Sequence, residues 1–396
     1  MKDLCVLKFG GTCLATEEDR KISAQHCRDI LKEFSRAVVV VSAMGRRGDP
    51  YSTDSLLEQV SSPEESERAS LMACGEVISA MVFSDLLRCS GLKAHAVTGW
   101  NAGLQTSDRD CNADLLSIER DYLVDALRTN QCVVVAGFQG MGSSGRISTL
   151  GRGGSDITAT AVAAALEADE LVLFKKVDAV YTADPEKVPG AMKLSRISAE
   201  DLRELAWQGA KVVHPRASEI ASDEDVRISV RSHSTGEKVT SIEPFPLRTG
   251  RYITGVASGP EVTQFSVTGW QGSSMHEFYS TVFGAVADTE VSMDMFSVFD
   301  GKAVFTVPVY DAQRVAGTIA ELGLEAETRG PCAKVSIVGA GMHGMKGVMA
   351  RFARALNGAG IDMLQTVDSH ATISALVELG ERDDAMTAIH REFLEQ

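Results

Sequence analysis

Residues 151–175 read GRGGSDITATAVAAALEADELVLFK. Three glycines around Arg152 lead through Ser155 and Asp156 into an Ala-rich helical pattern, which gives way to the apolar run ELVLF. Loop, helix and buried strand in immediate succession form one turn of an alternating α/β chain. The loop's backbone N–H groups, with Gly153 and Gly154 at the positive end of the helix, make either an anion cradle or a tight left-handed turn. No GxxxxGK[ST] occurs, which excludes a P-loop of the common NTPase kind. The strand then ends in Lys175 and Lys176, ahead of VDAVYTADP. Paired lysines there are either solvated or face an anionic ligand.

Working outward, the same alternation fills about the first 245 residues. LCVLKFG, AVVVVSAM, KAHAVTG, CVVVAGF and VRISVRS read as further strands. EEDRKISAQHCRDILKEF and EESERASLMACGEVISAMVFSDLLRCS read as helices. Near-continuous apolar strands between helices predict a mostly parallel central sheet sandwiched by helices. ISAEDLRELAWQGA reads as a helix capped by Ser198 and stopped at Gly209. EKVTSIEPFPLRTGRY, with two prolines and no apolar period, reads as a linker. Beyond it two units of roughly 70 residues each run strand, loop, helix, strand, turn, strand, helix, a pair of βαββαβ modules. Such modules pack side by side around a ligand, or form a plain structural repeat.

The chain has 396 residues, 44% hydrophobic and 23% charged, which predicts a globular protein of two or three domains. A net charge of -15 argues against a nucleic-acid partner but leaves room for an anionic small ligand at a local basic cluster. The eight cysteines stand singly, without zinc-binding spacing, as buried thiols of a reducing compartment would. No secretory leader is legible in MKDLCVLKFGG, and no apolar run approaches the roughly 20 residues of a membrane span. A cytoplasmic protein with neither membrane nor nucleic-acid partners is the expectation.

KFGGTC at 8–13 follows the first strand, where Gly10 and Gly11 permit close approach, Lys8 supplies charge and Thr12 a hydroxyl. It reads as a ligand loop or as an ordinary strand-to-helix turn. Glu76, inside a helical stretch, is a paired or solvated acid, or else orients a substrate amine near GFQG at 137–140. GAGMHG at 339–344 matches GxGxxG, with Asp362 at ribose-binding distance. The 52 residues after Gly344 (396 − 344) are too few for a doubly wound sheet, so a dinucleotide site is not expected.

KFGGTC, VSAMG…TDSLL, CGE, GFQG, LGRGGSD, VDAVYTADP and LAWQGAKVVHPRA, in this order and followed by two repeat units, resemble the aspartate kinases. That family has the amino-acid-kinase fold with paired ACT domains, and the tail is most similar to its single-function, diaminopimelate-responsive bacterial members. The resemblance implies a catalytic domain over 1–240, a linker over 241–250 and ACT modules over 251–328 and 329–396, separate or intertwined. It implies transfer of the γ-phosphoryl of MgATP to the side chain of aspartate. Lys8 would meet the phosphoryl group, and Asp156 would hold Lys8 or the metal shell. Arg152 would clamp a substrate carboxylate and Glu76 the ammonium, with hydroxyls from Ser42 and Thr53. Gly10, Gly11, Thr12, Gly153, Gly154, Ser155, Lys175, Lys176, Tyr181, Asp184, Pro185 and Lys211 would hold the nucleotide. No residue is expected as a dedicated metal ligand. Met293, Asp294, Gln365 and Asp368 would contact an amino-acid effector (lysine, threonine or diaminopimelate) in a homodimer formed through the ACT modules.

Three departures stand out against the resemblance. Cys13 stands where the family usually has Ser. VTGWQGSSMHEF lacks the usual Pro-Gly turn. Lys175, Lys176, Val177, Asp178 and Ala179 replace a usual Thr-Asp-Val-Asp-Gly. An enzyme with altered acceptor or nucleotide, or a weakly active amino-acid-sensing partner, are the alternatives.

Overall fold

The computed structural model describes residues 2–176, 179–210, 213–245, 247, 252–272, 274–342 and 344–395. They divide into two compact units, Met1–Val180 with Lys193–Arg203 and Lys211–Arg248, and Tyr181–Met192 with Glu204–Ala210 and Thr249–Gln396.

The first unit is built on an eight-stranded sheet. Its order is Arg196–Ser198, Lys238–Glu243, Ile228–Ser232, Glu170–Lys175, Lys2–Phe9, Phe34–Val41, Cys132–Ala136, Ala94–Val97. All neighbours are parallel except Ile228–Ser232 with Lys238–Glu243. Val38 to Val41 are all fully buried because helices cover both faces, so the apolar runs need no alternation. Leu7, Phe9, Val39, Val41 and Phe174 share a core with Ala24 and Cys27 of the helix Glu17–Ile30 and with Ala80 and Phe83 of the helix Glu65–Cys89. Strand side chains alternate, so Lys8 faces the opposite side, toward the helix Gly154–Ala165.

Two expectations change. The first half of the supposed linker is the strand Lys238–Glu243, with Thr240 and Ile242 buried; its polar residues hid a period of two. The helix Glu65–Cys89 contains an 18-residue window of mean hydropathy 1.5, long and apolar enough to cross a membrane by composition. Glu76 and Asp85 interrupt that run in the sequence, and Phe83 and Leu87 pack into the core of the sheet, as in a core helix. A four-stranded sheet of Leu115–Ile118, Leu104–Thr106, Gln139–Gly142 and Ile147–Thr149 carried too few residues per strand to be legible.

The second unit holds a six-stranded antiparallel sheet in the order Asp294–Phe299, Lys302–Pro308, Gly255–Thr268, Glu325–Val338, Thr372–Glu378, Gln365–Asp368. The two central strands are each 14 residues long, and Gly255–Thr268 contributes to two cores. Phe265 and Val267 pack with the helices Met275–Asp288 and Ala312–Glu321. Val256, Val335 and Ile337 pack with Val348–Gly358 and Arg382–Leu394. Because the strand preceding GAGMHG has only antiparallel neighbours, no βαβ crossover exists there for a dinucleotide.

Candidate active site

Five segments of the first unit converge at the carboxyl ends of its central strands. Lys8 pairs in register with Val40 on one side and Leu173 on the other. Its ammonium lies 2.6 Å from Oδ1 of Asp156, in the first turn of the Ala-rich helix, and both side chains are buried. Gly153, at φ 69°, gives that helix its entry; a Cβ there would meet the His214 ring at 2.4 Å. Gly11 is required by close approach, since a Cβ would sit 2.5 Å from the Ala43 carbonyl. Gly10 flanks the Lys8 ammonium, and Thr12 lies in the 3-10 turn Gly11–Cys13.

The two lysines at the strand end part company. Lys175 reaches Oδ2 of Asp156 at 3.2 Å and is largely buried, whereas half-exposed Lys176 pairs with Oδ1 of Asp19 at 2.8 Å. Alternation along the strand sends the first to the Asp156 face and the second to the helix Glu17–Ile30. Asp156 therefore carries two lysines. Burial pushes its carboxyl up, but Lys175 and Lys8 together outweigh burial and hold it well below the usual carboxylate range. Burial lowers the Lys175 ammonium from its ordinary value, Asp156 opposing and Lys8 reinforcing the shift. Cys13 is a buried thiol that donates to the Phe174 carbonyl at 3.5 Å; desolvation raises it.

Beside these charges opens a cavity of about 740 Å³ lined by Thr53, Glu76, Arg152, Gly153, Gly154 and Ser155. Ser42 joins through a 2.7 Å hydrogen bond between its hydroxyl and that of Ser155. Glu76 accepts the Ala43 N–H at 2.9 Å on Oε1, while its buried Oε2 has no hydrogen-bond partner among the described residues. Burial pushes Glu76 up to about 8, against the Ala43 N–H and Lys8. A desolvated carboxylate with a vacant oxygen suits an ammonium group, and Arg152 suits a carboxylate.

Sequence reasoning missed Arg68 and Asn112, which line the cavity together with Phe138 of GFQG. Asn112 and Phe138 have positive φ of 52° and 72°, a conformation with no signature in the sequence beyond the glycines beside Phe138. Arg68 precedes Glu76 by two helical turns and could have been found from that spacing.

Tyr181, Asp184 and Pro185 belong to the second unit, and Lys211 lies outside the described residues, as do Val177 and Asp178. Met293 packs against the first repeat's core. Asp294 accepts the Met295 N–H at 2.7 Å and pairs with Lys334. Gln365 donates to the Met295 carbonyl and to Ser297 (3.1 Å) and accepts from Gln264 (2.9 Å). Asp368 lines a separate cavity of about 480 Å³ with Gly344, Gly347, Ser369 and His370.

Comparison with known proteins gives a consistent result. The profile described as "Amino acid kinase family" matches residues 3–232, and one described as "ACT domain" matches residues 335–393. Aspartokinase 1 of Bacillus subtilis (strain 168) is 39% identical, covering 98% of each chain. The aspartokinase of Bacillus sp. (strain MGA3) is 36% identical, covering 98% of this chain and 97% of that one. Among solved structures, E. coli aspartokinase III in complex with aspartate and ADP superposes with a TM-score of 0.81 at 22% identity, over 99% of this chain and 100% of that one.

Proposed function

The chain belongs to the aspartokinase family, and from that premise we propose that aspartate binds in the cavity over Glu76 and the nucleotide across Lys8. The protein is an aspartate kinase that phosphorylates the side-chain carboxylate of L-aspartate with ATP, under amino-acid control through ACT domains. The observation that carries the site assignment is the buried Lys8–Asp156 pair between two glycine loops, next to a cavity holding an acid and an arginine.

Arg152 takes the α-carboxylate and Oε2 of Glu76 the ammonium, which leaves the β-carboxylate directed toward Ser155 and Lys8. A β-carboxylate oxygen attacks the γ-phosphorus; the bond to the bridging oxygen breaks, its electron pair leaves with ADP, and no proton moves. Catalysis then consists of holding reactants in line and neutralising phosphoryl charge. Lys8 and the N–H groups of Gly10, Gly11, Gly153 and Gly154 supply that neutralisation, and the hydroxyls of Ser42, Thr53 and Thr12 complete the polar lining. Asp156 orients Lys8.

Magnesium would arrive with the ATP phosphates and would supply neutralisation of their charge. Among the described residues no group of three or more His, Cys, Asp or Glu could hold a metal, and both Asp156 oxygens carry lysines. The nucleotide-side assignment of Lys176, Tyr181, Asp184, Pro185 and Lys211 rests on motif order alone.

For the effector, Asp368 is the best supported of the four residues because it lines a cavity; Asp294 and Gln365 are engaged within the sheet. Lysine, threonine or diaminopimelate fits there as an amino acid offering an ammonium to Asp368. A homodimer through the ACT modules, a catalytic region that ends beyond the strand Lys238–Glu243 and a cytoplasmic location complete the reading.

Hydroxylamine trapping with MgATP tests the acceptor: aspartate should yield hydroxamate, and trapping only with a different acidic amino acid would replace aspartate as substrate.

A further inference from the structure

The geometry points to Lys175 as a second phosphate-contacting cation, holding the β-phosphate of the departing ADP while Lys8 holds the transferring group. Alone, Lys8 and Asp156 form a neutral pair. Lys175 on the free oxygen of Asp156 turns it into a triad of net charge +1, in a chain whose formal charge is -15. The sheet order decides which phosphate each lysine meets. The acceptor cavity opens at the end of Phe34–Val41, where Ser42 and the Ala43–Glu76 bond lie. Lys8 stands on the next strand, and Lys175 on the strand beyond that. An in-line transfer therefore places acceptor, γ-phosphoryl and leaving group across three successive strands. The end of the Lys175 strand is held in place: the His233 N–H donates to the Lys175 carbonyl at 2.8 Å, and Cys13 donates to the carbonyl of Phe174. The Phe174 ring stacks on Phe9 at 4.8 Å and on His26 at 4.6 Å. The electron pair of the broken P–O bond stays on the ADP oxygen that Lys175 contacts.

The assignment rests on the ATP-dependent reading, but its test needs no aspartate. Calorimetric titration of the full chain with ADP and with AMP, both with magnesium, separates the β-phosphate from the rest of the nucleotide. Lys175→Met should weaken ADP by roughly ten- to a hundredfold and leave AMP within twofold, as expected for loss of one charge-assisted bond. Lys175→Arg should restore most of the difference. In turnover, kcat should fall with the KM for aspartate unchanged. Lys175→Gln, which keeps a donor for Asp156, should reproduce the ADP loss if the methionine variant does not fold. Equal losses for ADP and AMP, or no loss for either, would overturn the assignment while leaving the kinase reading intact.

Discussion

The backbone N–H of Ala43 donates to one oxygen of Glu76 at 2.9 Å, and the other oxygen, buried in a residue that lines the cavity of about 740 Å³, has no hydrogen-bond partner among the described residues. Burial holds this group at about 8. Between its ordinary value and about 8 the folded, ligand-free protein keeps Glu76 protonated, and an aspartate ammonium requires it ionised. The KM for aspartate should therefore fall about tenfold per unit as pH rises toward 8 and level off above it. Glu76→Gln should give a raised KM without that slope. A wild-type KM flat between pH 6.5 and 8.5 would remove Glu76 from the ammonium site.

Glu76 also sets a stability trend of defined sign. Its folded pKa is raised, so the native state binds more protons than the unfolded chain above the ordinary glutamate value, and stability falls as pH rises toward 8. Urea midpoints should show Glu76→Gln losing that part of the pH dependence. An identical pH dependence in both proteins would contradict the burial argument.

Lys8→Ala should cost roughly 10²–10³-fold or more in turnover while the fold survives, because Asp156 retains Lys175. Asp156→Asn is more severe: two buried ammonium groups lose their shared counter-ion, at about 3–5 kcal/mol. The Asp156 pKa is depressed, so the pair's contribution is present above the usual carboxylate range and is lost as pH falls through the folded value. The stability gap between wild type and Asp156→Asn should stay constant from pH 7 to about 5 and close only in strong acid. Equilibrium denaturation at several pH values measures it, and a gap already closing near pH 6 would contradict the triad.

In the second unit, Thr182 and His390 share a buried hydrogen bond of 2.8 Å. The Met192 N–H donates to the Thr182 hydroxyl at 2.9 Å, and the His390 Nδ1 lies 2.9 Å from a Glu395 oxygen. Thr182→Val keeps the shape and strands a ring nitrogen and an amide, at about 1–3 kcal/mol. Thermal melting should show the loss with kcat little changed; an unaltered melt would mean water replaces the hydroxyl.

Effector titration separates the two carboxylates proposed for regulation. Asp368→Ala should raise the inhibitory concentration of the effector at least about tenfold with basal turnover retained, as loss of one charge-assisted contact predicts. Asp294→Ala should chiefly lower stability, since Asp294 is committed to Lys334 and to the Met295 N–H. The opposite pattern would move the effector to the first repeat.

Much of this arrangement was legible before folding because it is local. Apolar runs such as CVVVAGF dictate buried strands, and GRGGSD dictates a loop entering a helix. Lys8, Glu76, Arg152 and Asp156 were found through the order of their motifs along the chain. What escaped depended on pairing: the polar strand Lys238–Glu243 exists because Ile228–Ser232 and Arg196–Ser198 flank it. Arg68 and Asn112 reach the cavity only through the packing of the helix and loop that carry them.

Lys175 and Lys176 mark the boundary most clearly. The sequence by itself determined that two cations stand at the end of a buried strand, next to a glycine loop and in an order of motifs that reads as a kinase. Only the tertiary structure decided that they serve opposite faces. A strand projects successive side chains to opposite sides, so Lys175 meets Asp156 on the face covered by the helix Gly154–Ala165 and Lys176 meets Asp19 on the other. Asp156 comes from the helix just before the strand and Asp19 from a helix near the start of the chain, and both pairings are fixed only when the sheet is assembled.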